Sequence, residues 1–284
     1  MKEHELEEKT AAVDLAAVRS GPLSSEVVVA LVELGHCQLD ADQPEPALGS
    51  FMRALEIADM GAVHTDSVRG MLMGNIGLAL RQTNRLGEAE TWLRKSIDLL
   101  TRSLGPDDLA TGRSLGDLGA MMLDLSRNDP TNLSGAVQAA MYLAQALEVF
   151  RRVALGDDES LIAQTLFGLG LAHVWTGDLD TATIEFKEAR DLFLISGAEG
   201  ALNVAECDAM LGSIEIIRGD LRPAQLLLER ALESMRRDPE VELQTIANTM
   251  GNLALALAAQ GNLQPARRLQ AEATILWDAS QEIL

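Results

Sequence analysis

Gly170–Ala189 reads GLAHVWTGDLDTATIEFKEA, and the fold is decided by how this stretch is understood. It has the pattern of a helical hairpin. Gly170 lies in the first helix, where a missing side chain lets another helix come close. Gly177 marks the turn, where a positive φ costs glycine little. Asp178 to Thr181 supplies cap chemistry for the second helix. Ala182, Phe186 and Ala189 then fall three and four residues apart, on one face of that helix. A lone hairpin cannot bury such a face, so the pattern has to recur for the chain to fold.

It recurs along nearly the whole chain. The close-approach position holds Gly35, Gly77, Gly119, Gly170, Gly212 and Ala254, at intervals of 42, 42, 51, 42 and 42 residues. Each second helix carries one small residue from Ala47, Ala89, Ala139, Ala182, Ala224 and Ala266, and seven residues later another from Ala54, Ser96, Ala146, Ala189, Ala231 and Ala273. Between them stand Phe51, Leu93, Leu143, Phe186 and Leu228, with Gln270 as the exception. Gly177, Gly219 and Gly261 occupy the turn, and Asn84 takes that place in the second unit. Pro46, Pro223 and Pro265 fall in the first turn of second helices, where a missing N–H does no harm. The third unit is longer by the polar run Ser126–Ser134, which reads as a longer loop between its two helices.

These rows of small residues, with a leucine or aromatic between the two alanine rows, resemble the tetratricopeptide repeat. The 42-residue interval is similar to the kinesin-light-chain subtype. So are the connections Ser103-Leu-Gly-Pro-Asp-Asp108 and Leu155-Gly-Asp-Asp-Glu159 and the cores Gly74-Asn-Ile-Gly77 and Gly251-Asn-Leu-Ala254. The resemblance implies an all-α fold, a right-handed α-solenoid of helix-turn-helix repeats used as a binding scaffold. Six repeats are expected, at about 25–60, 67–102, 109–154, 160–196, 202–237 and 244–281, making a single solenoid over residues 24–281. Residues 1–20 are expected to form an N-terminal capping helix, with Leu6, Ala12, Val13, Leu15, Ala16 and Val18 on its apolar stripe.

Composition narrows the function classes. The formal charge of −20 disfavours a nucleic-acid partner, which calls for a basic footprint. It is compatible with a solvated acidic surface or with an acidic groove for a basic partner. No run of apolar residues is long enough for a membrane span, so no membrane association is expected. The charged start Met1-Lys-Glu-His-Glu-Leu-Glu-Glu has no apolar signal core. Cys37 and Cys207 lie in different repeats and offer no disulfide framework, which fits a cytoplasmic location.

In the architecture that the resemblance implies, first helices line a concave groove, and candidate partner-binding residues follow from the glycine register. Asn75 and Asn252 are equivalent, and an amide that both donates and accepts suits the backbone of an extended peptide. The competing role is a bond to a neighbouring helix or turn. Glu33, Asp117, Gly168 and Met210 replace asparagine elsewhere, so no continuous amide ladder exists. Leu78 joins Asn75 in the polar part of the groove. Arg81 and Arg113 are candidates to receive a carboxylate, or else to form ordinary surface ion pairs. Phe167, Leu171, Val174, Trp175, Met210, Ile216 and Leu255 make an apolar part, suited to an amphipathic helix or a hydrophobic peptide segment with Trp175 as anchor, or else packed against a neighbouring helix or the folded C-terminus.

Catalytic constellations are sparse. His4, His36, His64 and His173 form no metal-binding spacing, so no metal site is expected. His36 and Cys37 point in different directions from one helix, which argues against a nucleophile–base pair. Phe167-Gly-Leu-Gly170 lies within a helix and makes no phosphate loop, so no cofactor is implied. His173 is expected in the core. The expected function is a non-enzymatic protein–protein interaction scaffold or adaptor holding a peptide or protein segment in the groove. The alternative is a regulatory sensor taking a signalling peptide or small apolar ligand. The final helix, with Ile275, Leu276, Trp277, Ile283 and Leu284, suggests three outcomes: local folding back, a further domain, or a homodimer contact through Trp277 and Leu284.

Overall fold

A computed structural model describes residues 2–62, 65–129, 133–153, 159–195, 197–239 and 241–282. The fold is an all-α solenoid built from helical hairpins, and no strand occurs among the described residues. α1 (Lys2–Ser20) precedes six pairs of helices. They are α2 (Ser25–Asp40) with α3 (Pro44–Ile57), α4 (Asp66–Gln82) with α5 (Leu86–Ser103), and α6 (Leu109–Asn128) with α7 (Leu133–Val153). There follow α8 (Glu159–Thr176) with α9 (Leu179–Ile195), α10 (Ala201–Arg218) with α11 (Leu221–Met235), and α12 (Leu243–Ala259) with α13 (Leu263–Glu282). Contacts divide the chain into two compact units, Met1–Val153 and Ala154–Leu284. The first holds α1 to α7 and the second α8 to α13.

The glycine row is a packing device. A Cβ at Gly77 or Gly119 would come within 2.6 Å of Leu93 or Leu143, and one at Gly170 or Gly212 within 2.7 Å of Phe186 or Leu228. In these hairpins, as at Gly35 against Phe51, the first helix therefore lies against the large residue between the two alanine rows of its own partner. Those alanines are fully or nearly fully buried, from Ala47 and Ala54 to Ala266 and Ala273. The hairpin turns adopt the left-handed region, with φ of +84° at Gly177, +86° at Gly219 and +85° at Gly261. Asn84 and Asp42 take the same place at +57°. Past the turn, the Thr181 N–H donates to Asp178 Oδ1 at 3.1 Å, capping α9.

Ser96 interrupts the alanine row with a hydroxyl. It donates to the Gly70 carbonyl at 2.7 Å and shares a 2.8 Å hydrogen bond with Ser114 Oγ. This satisfies two buried hydroxyls and ties α5 to both α4 and α6.

The extra residues of the third hairpin do not form the long loop expected of Ser126–Ser134. Ser126, Arg127 and Asn128 continue α6, while Leu133 and Ser134 begin α7. Residues 130–132 lie outside the described residues. The Ser126 hydroxyl donates to the Met122 carbonyl at 3.1 Å, so this polar residue is satisfied by its own helix. In short, the insertion lengthens both helices.

Candidate functional site

In unit 1, α4 approaches α6, and in unit 2, α10 approaches α12. No two second helices within a unit approach each other comparably among the described residues. The first helices thus form the inner layer of each unit, and most of the candidate residues lie on it.

On the inner face of unit 1, Asn75 and Leu78 of α4 are half-buried. The Asn75 side chain makes no hydrogen bond among the described residues. One position earlier in this row, Glu33 of α2 is held by Lys9 of α1 at 2.9 Å. One position later stands Asp117 of α6, half-buried. Burial pushes its carboxyl up to about 6, against the opposing pull of the Arg81 and Arg113 guanidiniums. Arg81 is engaged: its Nε lies 3.6 Å from Asp124 Oδ2, and Asp124 also pairs with Arg127. Arg113 is exposed and forms no ion pair among the described residues. Of the two candidate carboxylate receptors, Arg113 alone is open.

On the inner face of unit 2, four of the seven apolar candidates come together on one cluster. Phe167, Leu171, Val174 and Met210 are partly buried against Ala182, Phe186, Leu211 and Ile214. The Phe167 ring meets Phe186 edge-on, with centroids 5.4 Å apart and planes at 65°. Ile216 packs on a second cluster that includes Leu228, Ile246 and Leu253. Trp175 is half-buried, whereas Leu255 is 59 % and Ile217 is 65 % exposed. Asn252 is engaged: its Nδ2 donates to Ser213 Oγ at 2.9 Å, and that hydroxyl donates to the Ala209 carbonyl. The two asparagines equivalent in sequence are therefore different in bonding.

At the end of unit 2, Ala247, Asn248, Gly251, Asn252, Gln270, Ala273, Thr274 and Trp277 line a shallow cleft of about 400 Å³ between α12 and α13. Leu276 packs back onto the core, while Ile275 stands 67 % and Trp277 38 % exposed. Ile283 and Leu284 lie outside the described residues.

The remaining reactive side chains are accounted for by packing. His36 sits edge-on to Phe51 with centroids 5.4 Å apart. His173 is half-buried rather than part of the core, with Nδ1 2.7 Å from Glu185 Oε2; burial holds the Glu185 carboxyl above its usual range, with the His173 contact opposing. Cys37 and Cys207 are buried free thiols, both pushed up by burial, Cys207 to about 12. No group of three potential metal ligands occurs among the described residues, and no helix there is long and apolar enough to cross a membrane.

Helical hairpins in tandem, with a glycine against a leucine or phenylalanine in five of the six, define a helical-repeat protein. Family models for the tetratricopeptide repeat match residues 68–130 and 246–277. The chain therefore carries tetratricopeptide repeats in these two stretches. A comparison with curated proteins finds no match. Solved structures share the fold at low identity. The apo form of RapI is 17 % identical with a TM-score of 0.66, covering 97 % of this chain and 93 % of its own. A putative kinesin light chain from Podosopora anserina with nearly identical repeats is 15 % identical with a TM-score of 0.59, covering 78 % of this chain and 99 % of its own. NprR in complex with its cognate peptide NprX is 14 % identical with a TM-score of 0.57, covering 87 % of this chain and 66 % of its own.

Proposed function

We propose that the protein is a non-enzymatic interaction module that holds a peptide or protein segment on the inner faces of its first helices, acting as a scaffold or adaptor in the cytoplasm. Residues 1–20 cap the array, and residues 24–281 carry the six repeats. The observation behind this reading is the Asn75 side chain, half-buried on the inner layer and without a hydrogen bond among the described residues. It stands in the same row as Asp117, near the exposed Arg113. An amide, a carboxyl and a guanidinium on one face match the donors and acceptors of a peptide and its carboxylates. NprR, which has this fold, was solved with its cognate peptide, and that analogy supports the same reading.

A second reading is a regulatory sensor that takes an apolar ligand or signalling peptide on unit 2. It is favoured by the exposed Leu255 and Ile217 on the inner helices, with Trp175 half-buried on α8. Self-association through α13 would bury Ile275 and Trp277.

Selection from a random peptide display library distinguishes the readings. Peptides enriched on the wild type should be lost on Asn75→Ala/Arg113→Ala and retained on Trp175→Ala/Leu255→Ala. The opposite pattern favours the unit 2 reading. Enrichment unaffected by either pair overturns both, and sedimentation of the Trp277→Ala variant against wild type tests self-association.

A further inference from the structure

Asp208 is 1 % exposed, the most deeply buried charge among the described residues. It sits on α10. Arg230 of the same hairpin grips it through two bonds of 2.6 Å, from Nε to Oδ2 and from Nη2 to Oδ1. Arg190 of α9, in the preceding hairpin, reaches it at 3.5 Å through Nη1. The Arg190 Nε is buried without a hydrogen-bond partner.

The repeat shows how unusual this is. Arg190 follows the small residue Ala189 directly, and Asp208 precedes Gly212 by four. The same two positions hold Leu55 and Met73, Ile97 and Leu115, Leu147 and Leu166, and Leu232 and Met250. Within each unit, every other pairing of a second helix with the next first helix is apolar at this point. Leu232 and Met250, on α11 and α12, both belong to the core of unit 2.

A buried charge cluster adds little to stability over well-packed apolar residues, and a partly satisfied one adds less. The orphaned Nε shows that this cluster is only partly satisfied. Its attested use is to specify register. Hairpins built on one packing pattern face a particular folding problem, because a second helix can dock on the first helix of the wrong repeat or of another chain. Apolar pairs permit such exchanges. Moved onto any other first helix, Arg190 would meet leucine or methionine there and keep only its exposed neighbour Asp191, 3.3 Å away on its own helix, and Asp208 would lose one of its two cations.

We propose that Arg190 and Asp208 form a register key that admits α9 to α10 and to no other first helix, copies in a second chain included. The test replaces the pair by the one used at the next joint, Arg190→Leu/Asp208→Met, with Arg190→Leu/Asp208→Leu as a second apolar version and Asp208→Asn as a broken key. Each protein is refolded from denaturant over rising concentrations, and monomer is separated from misassembled oligomer by size exclusion with light scattering. The apolar variants should melt at or above the wild-type temperature, yet give a severalfold larger oligomeric fraction that grows with concentration. Asp208→Asn should melt lower. Wild-type monomer yield from both apolar variants overturns the proposal. So does a melting temperature lowered in both as far as in Asp208→Asn, which would make the cluster a stabilising element instead.

Discussion

An alanine at Gly170 would place its Cβ 2.7 Å from the Phe186 ring, whereas at Gly49, exposed in α3, it would meet nothing within 4 Å. Gly170→Ala should therefore destabilise by about 1–3 kcal/mol through overpacking. Gly49→Ala should stabilise by about 0.5–1 kcal/mol, because glycine inside a helix loses more chain entropy. Urea melts of the two variants check both signs. Asp117 allows a pH prediction. Its folded carboxyl is raised from 3.8 to about 6, so the native state binds the extra proton between those values and stability from this group falls as pH rises through them. Asp117→Asn should match the wild type near pH 4 and exceed it by about 1–3 kcal/mol at pH 7 and above, as read by denaturant titrations across that range. The glycine and alanine rows were legible in the sequence because close packing permits few residue types there. The fate of the two asparagines was not. Asn252 finds Ser213, which directly follows Gly212 on the preceding first helix. The matching residue for Asn75 is His36, which is turned onto Phe51. One residue on a neighbouring helix thus decides whether the amide is engaged, and the repeat does not constrain that residue.

At the scale of elements, the helix pairs and their turns follow from the spacing of small residues, but the third hairpin does not. Its polar run reads as loop because serine, asparagine and aspartate favour turns. Here Ser126 bonds back within α6 and Asn128 donates to Asn84 at the tip of the neighbouring hairpin, so α6 runs on. The three-helix link through Ser96 offers a direct test. Ser96→Ala restores the small apolar residue of its row yet leaves the buried Ser114 hydroxyl without that partner, and should cost about 1–2 kcal/mol. Adding Ser114→Ala should recover much of the loss, since removing both buried hydroxyls is close to neutral. A double-mutant cycle by thermal or chemical unfolding gives the coupling directly.

For the whole molecule, the net charge of −20 exerts a self-repulsion that salt screens. Raising sodium chloride from low millimolar to about 0.5 M should lift the midpoint of thermal unfolding by several degrees at neutral pH, as followed by calorimetry or circular dichroism. The division into Met1–Val153 and Ala154–Leu284 is not written into the repeat, whose connections all carry similar glycine, proline or aspartate signals. The repeat does fix the class of fold, because a row that recurs every 42 residues can be buried only by stacking like on like. The two buried thiols fall one in each unit, Cys37 in the first and Cys207 in the second. A thiol sealed in the core and held in its protonated form reacts only after the helices around it part. Each half of the chain therefore carries its own stopwatch. Cys37→Ser and Cys207→Ser each leave one thiol, and the rate at which a chromogenic disulfide reagent consumes it under native conditions reports how often that half breathes.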